Sequence, residues 1–115
     1  VKVHHVANMF TNAISYRGGQ DLALWQTGGF KDMTGMFLHA IRFNGDLSQW
    51  NTTSVIEMDD LFANAIEFDG DISAWSTGSV ITMARMFQNA TKFTGRSNRG
   101  GIRKWDVQNV RNFYG

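Results

Sequence analysis

The sequence contains no cysteine, which excludes disulfide frameworks and thiolate metal sites for this segment. It carries almost no charge imbalance: 11 basic against 10 acidic side chains leave +1, no global reason to expect nucleic acid or a membrane surface as partner. No apolar run approaches the roughly 18 residues of a membrane span, and no secretory leader pattern opens the chain. What is present is an ordinary hydrophobic share, 43%, in 115 residues, one domain's worth or less. The chain opens on Val1, inside what proves to be a repeat, and is read as a piece of a longer protein.

The repeat is marked by four tryptophans, Trp25, Trp50, Trp75 and Trp105, whose first two gaps are 25 residues and whose last is 30. Fixed-period self-similarity decides architecture before any local signal does. The domain is expected to be one array, 1–115: a partial unit 1–20, units 21–45, 46–70 and 71–95, an insertion RSNRG at 96–100, and a partial unit 101–115. Apolar columns run through it: Val3, Phe30, Val55, Val80, Val110; Val6, Met33, Met58, Met83, Phe113; Met9, Met36, Leu61, Met86. Three further columns follow, Phe10, Phe37, Phe62, Phe87, then Ala13, Ala40, Ala65, Ala90, then Tyr16, Phe43, Phe68, Phe93.

Apolar steps of 3, 3, 1, 3 and 3 describe one face of a helix. Ser54 with Glu57 makes a capping box, Ser79 and Asn109 stand in the same column as N-caps, and Gly29 is a weaker one. Helices are therefore expected at about 4–13, 30–40, 55–65 and 80–90. Asp46-Leu47-Ser48 and Asp71-Ile72-Ser73 alternate polar and apolar as a short strand does. The expected fold class is α/β: a short right-handed leucine-rich-repeat-like solenoid, with one strand and one helix per coil of about 25 residues. Strands spaced about 4.8 Å apart and helices needing 8–10 Å would force the stack to curve.

The pattern F-x-G-D-[LI]-S-x-W followed by S-x-V-x-x-M-x-x-M-F-x-x-A resembles the BspA-like surface-protein repeat, over nearly the whole chain apart from the insertion at 96–100. Gly101 in place of the aspartate, Gly28–Gly29, and Ala23 in place of serine depart from it. The resemblance implies adhesion or protein–protein interaction at a surface.

Few residues stand outside the repeat logic. All aromatics but Tyr114, and all six methionines, occupy apolar columns, so core packing outweighs ligand stacking or metal ligation. Asn12, Asn64 and Asn89, with His39 substituting, read as an internal ladder rather than catalytic amides. His4 and His5, adjacent on the expected helix, point about 100° apart and make no two-ligand metal face. Asp21, Asp46 and Asp71 form a column of stacked carboxylates, a weak calcium candidate against the commoner reading of aspartates bonded to nearby turn amides. Asn51-Thr52-Thr53 and Asn89-Ala90-Thr91 are glycosylation sequons, of which the first is placed in a loop. Arg96, Arg99, Arg103 and Lys104 gather in and after the insertion and are the expected partner contacts.

The expected function is a non-catalytic protein-interaction or adhesion module of a surface or secreted repeat protein, without cofactor, with protein partners and not nucleic acid. Membrane association would come only through other subunits or flanking sequence. The alternative is a structural subunit docked in a larger assembly, such as an organellar membrane complex. An open first or last coil would expose its core edge, so flanking chain or a partner is expected to cover an end.

Overall fold

In the computed structural model, which describes residues 6–95 and 101–110, the segment expected to be helical in each unit is a run of linked tight turns. The backbone amides there alternate between two destinations. Met33, Gly35, Phe37 and His39 donate to the carbonyls of Glu57, Asp59, Leu61 and Ala63, at 2.8–3.0 Å. The amides between them, Met36, Leu38 and Ala40, close turns onto carbonyls three residues back, at Met33, Gly35 and Phe37. The next unit repeats this: Met58, Asp60, Phe62 and Asn64 reach Thr82, Ala84, Met86 and Gln88, while Leu61, Ala63 and Ala65 close turns. Val6, Asn8, Phe10 and Asn12 do the same onto Asp32, Thr34, Met36 and Leu38.

This overturns the α/β, leucine-rich-repeat-like solenoid of one helix and one strand per coil. Among the described residues there is no α-helix and no extended strand, only 3-10 turns at Gln20–Leu24 and Gly101–Lys104 and single parallel bridges Asp32–Glu57–Thr82. Those bridges lie where helices were expected, and Asp46-Leu47-Ser48 and Asp71-Ile72-Ser73 form turns rather than strands. The proposed caps at Gly29, Ser54 and Ser79 have no helix to start; the segment that Asn109 would cap lies beyond the described residues, and Asn109 itself donates through Nδ2 to the Gly78 carbonyl at 2.6 Å.

The physical reason is the sign of φ. Asn8, Asn12, His39, Asp60, Asn64, Arg85 and Asn89 all have φ between 56° and 62°, and Gly35 has 60°. These are two columns four residues apart, so a left-handed residue interrupts every turn and an α-helix cannot propagate. Asparagine, aspartate and glycine tolerate that region best. At Gly35 a side chain is also excluded by space, because an added Cβ would collide with Asn8 Oδ1.

Without helices, every side of the coil can share one spacing. Phe10, Phe37, Phe62 and Phe87 stack at 5.4, 5.6 and 5.8 Å between ring centres. Tyr16, Phe43, Phe68 and Phe93 stack at 5.9, 5.9 and 5.7 Å. The tryptophans follow at 5.9, 6.4 and 6.4 Å. Within a coil the two phenylalanines also meet, Phe37 on Phe43 and Phe62 on Phe68 at 4.1 Å. The expected apolar columns are buried through the middle units, with Phe37, Phe43, Phe62 and Phe68 fully inaccessible, whereas Met9 in the first coil is 46% exposed. The strong curvature anticipated from helices facing strands is not required, and the radius of gyration, 12.8 Å, is that of a compact domain.

Asn64 tests the left-handed turn directly. Asn64→Gly should hold stability, while Asn64→Ala should cost about 1–2 kcal/mol more in chemical denaturation, because alanine resists positive φ. Both variants lose the same side chain, and a helix would give the opposite order, with glycine worse by up to about 1 kcal/mol.

Candidate functional site

The region around each tryptophan is built from polar links between coils. The Trp50 indole Nε1 donates to the Leu22 carbonyl at 2.8 Å, Trp75 to Leu47 at 2.9 Å, and Trp105 to Ile72 at 3.1 Å. Two residues beyond each of the first three tryptophans stands a buried threonine. The Thr27 hydroxyl donates to the Asn51 carbonyl, Thr52 to Ser76 and Thr77 to Asp106. This threonine column was not singled out from sequence, although Trp-x-Thr recurs three times; in the last unit Val107 replaces it and is 42% exposed. Among the described residues no buried side-chain nitrogen or oxygen lacks a partner.

The aspartate column is occupied by its own turns. Asp46 Oδ1 accepts from the Ser48 amide at 2.9 Å and hydroxyl at 2.6 Å, and Asp71 Oδ1 accepts from Ser73 at 3.0 and 2.6 Å. The Ser48 hydroxyl, then its amide, holds the Asp46 carboxyl below its ordinary range, against burial and the charge of Asp71. In the first unit Ala23 offers no hydroxyl, and Asp21 is exposed in the turn Gln20–Leu24. Among the described residues no group of three His, Cys, Asp or Glu side chains is placed to hold a metal ion.

The asparagine column proves to be one of the two left-handed columns, with a single rung in which Asn89 Nδ2 donates to Asn64 Oδ1 at 2.9 Å on the surface. Asn44, Asp69 and Thr94 form a second ladder: Asp69 donates its amide to Asn44 Oδ1 at 2.9 Å, and Thr94 its amide to Asp69 Oδ1 at 3.0 Å. In the sequon at Asn51 the side chain accepts from the Thr53 amide, and Asn51 is exposed. Of the basic group, Arg96 and Arg99 lie outside the described residues, as do His4 and His5; Arg103 is exposed within Gly101–Lys104, which Lys104 closes.

A different cationic group is assembled by the stack. Arg17, Ile41, Arg42, Asn44 and Glu67 line an open depression of about 480 Å³. Backbone bonds set its walls: Asn44 donates to the Arg17 carbonyl at 3.1 Å and Glu67 to the Ile41 carbonyl at 3.0 Å. Lys92 Nζ lies 2.7 Å from Glu67 Oε2 and holds that carboxyl below its usual range by hydrogen bond and charge, with Arg42 and Arg17 adding smaller effects and burial opposing them. These residues come from neighbouring coils in columns whose chemistry changes at each step (Ser15, Arg42, Glu67, Lys92), so a search for what repeats passes over them.

A family profile described as "Mycoplasma protein of unknown function, DUF285" matches residues 4–115. The chain belongs to this family. Searches of curated proteins and of solved structures returned no match. The match spans all but the first three residues of the array, insertion included.

Two substitutions probe the polar links. Thr52→Val should cost about 1–2 kcal/mol by leaving the Ser76 carbonyl without its donor, while Thr52→Ser should retain most of the stability in the same denaturation measurement. A carboxyl held below its ordinary pKa stabilises the fold above that value and loses the effect as pH falls through its folded pKa. Asp46→Asn should therefore lower the melting temperature at neutral pH, with the difference from the parent chain closing below about pH 4.

Proposed function

We propose that this DUF285 domain is a non-catalytic protein-binding module, acting in adhesion at a cell surface or in the secreted state, as the resemblance to BspA-like repeats implies. The observation that carries this reading is the contrast between inward and outward columns. Inward columns keep one chemistry through the units, as in Phe37, Phe62 and the half-buried Phe87, or Thr27, Thr52 and Thr77. Outward columns change it, as in Lys31, Ile56, Ile81 or Arg42, Glu67, Lys92. A fixed frame that displays varied, exposed side chains at regular intervals suits recognition of a macromolecular surface. Arg96, Arg99, Arg103 and Lys104 remain part of this proposal as a basic contact beside the last unit.

The rival reading, a structural subunit held permanently in a larger assembly, draws on Met9, Ile14 and Leu24, which are 46%, 54% and 82% exposed in or near the first coil. Crosslinking on intact source cells separates the two. Surface labelling with crosslinks to external or host proteins, weakened by an Arg96/Arg99/Arg103 triple alanine variant, is the expected outcome. Recovery only in a complex of fixed stoichiometry inside the cell would replace it with the subunit.

A further inference from the structure

The depression beside Arg42 has features that coil packing does not use. Arg17 follows Tyr16 and Arg42 precedes Phe43, and those two rings stack 5.9 Å apart, so the two arginines start from adjacent rungs of one ladder. Both residues are exposed, and neither guanidinium forms an ion pair within 4.0 Å among the described residues. Glu67, the carboxylate lining the depression, is taken by Lys92 one coil further on. The neighbouring Asp69 is likewise engaged, accepting from the Thr94 amide and hydroxyl at 3.0 and 3.1 Å. Ile41, 38% exposed, supplies an apolar wall, and Ile14, 54% exposed, stands in the same column one coil back.

We propose that this depression binds a peptide oxyanion: a carboxylate, or a phosphorylated side chain, on a partner protein, gripped between Arg17 and Arg42 with an adjacent aliphatic residue resting on Ile41. The proposal deepens the protein-binding reading and rests on it for the partner's class. An oxyanion that accepts from two guanidinium groups at about 2.8 Å each spans roughly the step between adjacent coils. Arginine's planar fork suits such bridging better than lysine's point charge. Asn44 uses its Oδ1 to accept from Asp69, which leaves its amide hydrogens as further donors toward the depression. Lys92 acts as a positioning residue: by holding Glu67 it keeps the one lining carboxylate from closing onto Arg42.

The test is fluorescence anisotropy with labelled octapeptides of alternating leucine and glutamate, the glutamine equivalent, and a phosphoserine equivalent. The glutamate and phosphoserine peptides should bind with an affinity that falls as salt rises, and the glutamine peptide should not; their ranking identifies the oxyanion preferred. An Arg17→Gln/Arg42→Gln variant should weaken binding about tenfold, the scale of two partly exposed ion pairs. Glu67→Gln should tighten it, because the competing carboxylate is gone, and Lys92→Gln should weaken it by releasing Glu67 onto Arg42. A shared melting temperature verifies that the variants are folded. Equal binding of the glutamate and glutamine peptides, no binding by any peptide, or an affinity unchanged in the double arginine variant would overturn the site. Failure of crosslinking at the cell surface, with peptide binding intact, would remove the adhesion reading alone.

Discussion

The fold depends on an alternation of backbone amides, one donated to the chain's own turn and the next to the following coil. A buried amide without a partner costs free energy comparable to a lost hydrogen bond, so a segment with this many buried side chains must place all of its N–H groups. An α-helix would spend them internally and leave coils to meet only through side chains, at 8–10 Å. The alternating scheme ties successive coils through their backbones, as Phe37 is tied to Leu61 and Phe62 to Met86. Its geometric condition is a left-handed residue at each fourth position, and its consequence is a coil step that all columns share.

Aromatic and polar ladders are consequences of that step. Centroid distances of 5.4–5.9 Å for the phenylalanine columns allow offset stacking, which adds to burial rather than competing with it. The same step delivers the indole of Trp75 to the Leu47 carbonyl and the hydroxyl of Thr52 to the Ser76 carbonyl. Space near the glycine turns is closed by the rings themselves: a Cβ at Gly45 or Gly70 would lie 2.9 Å from Phe43 or Phe68. Even the surface follows the step. Arg85 occupies a left-handed position that an unbranched long side chain does not favour, and its fork engages Asp60, one coil back, at 2.8 and 3.3 Å.

The columns and their inward direction were legible in the sequence; the local conformation was not. Steps of 3, 3, 1, 3 and 3 fit the face of a helix, but they fit a series of turns closed between residues three apart equally well, and side-chain periodicity cannot separate the two. The separating signal lay in the polar positions. Asn8, Gly35 and Asp60, with Asn12, His39, Asn64 and Asn89, place residues tolerant of positive φ at i and i+4 on what would be helix interiors, where most of them are poor formers. Ser54 and Glu57 gave a competing cap signal that the backbone does not use. Bonding of Asp46 and Asp71 to nearby turn amides was legible, but the polar–apolar alternation of Asp46-Leu47-Ser48 and Asp71-Ile72-Ser73 imitates a strand where Ser48 and Ser73 close turns, and Arg17 and Arg42 line one depression only because coil spacing brings different units together.

One frame therefore imposes two kinds of constraint on the same 25-residue period. An inward side chain touches its counterparts in the coils on both sides, so a change at Phe62 disturbs contacts with Phe37 and Phe87 together. A long outward side chain meets its counterparts through a flexible tip, and opposite charges there add little, because solvent screens exposed pairs such as Lys92–Glu67. Exchange of Arg42, Glu67 or Lys92 thus alters the surface while leaving the frame nearly untouched. That separation of energies lets one backbone carry different surface chemistry from coil to coil without changing the coil step that the buried columns set.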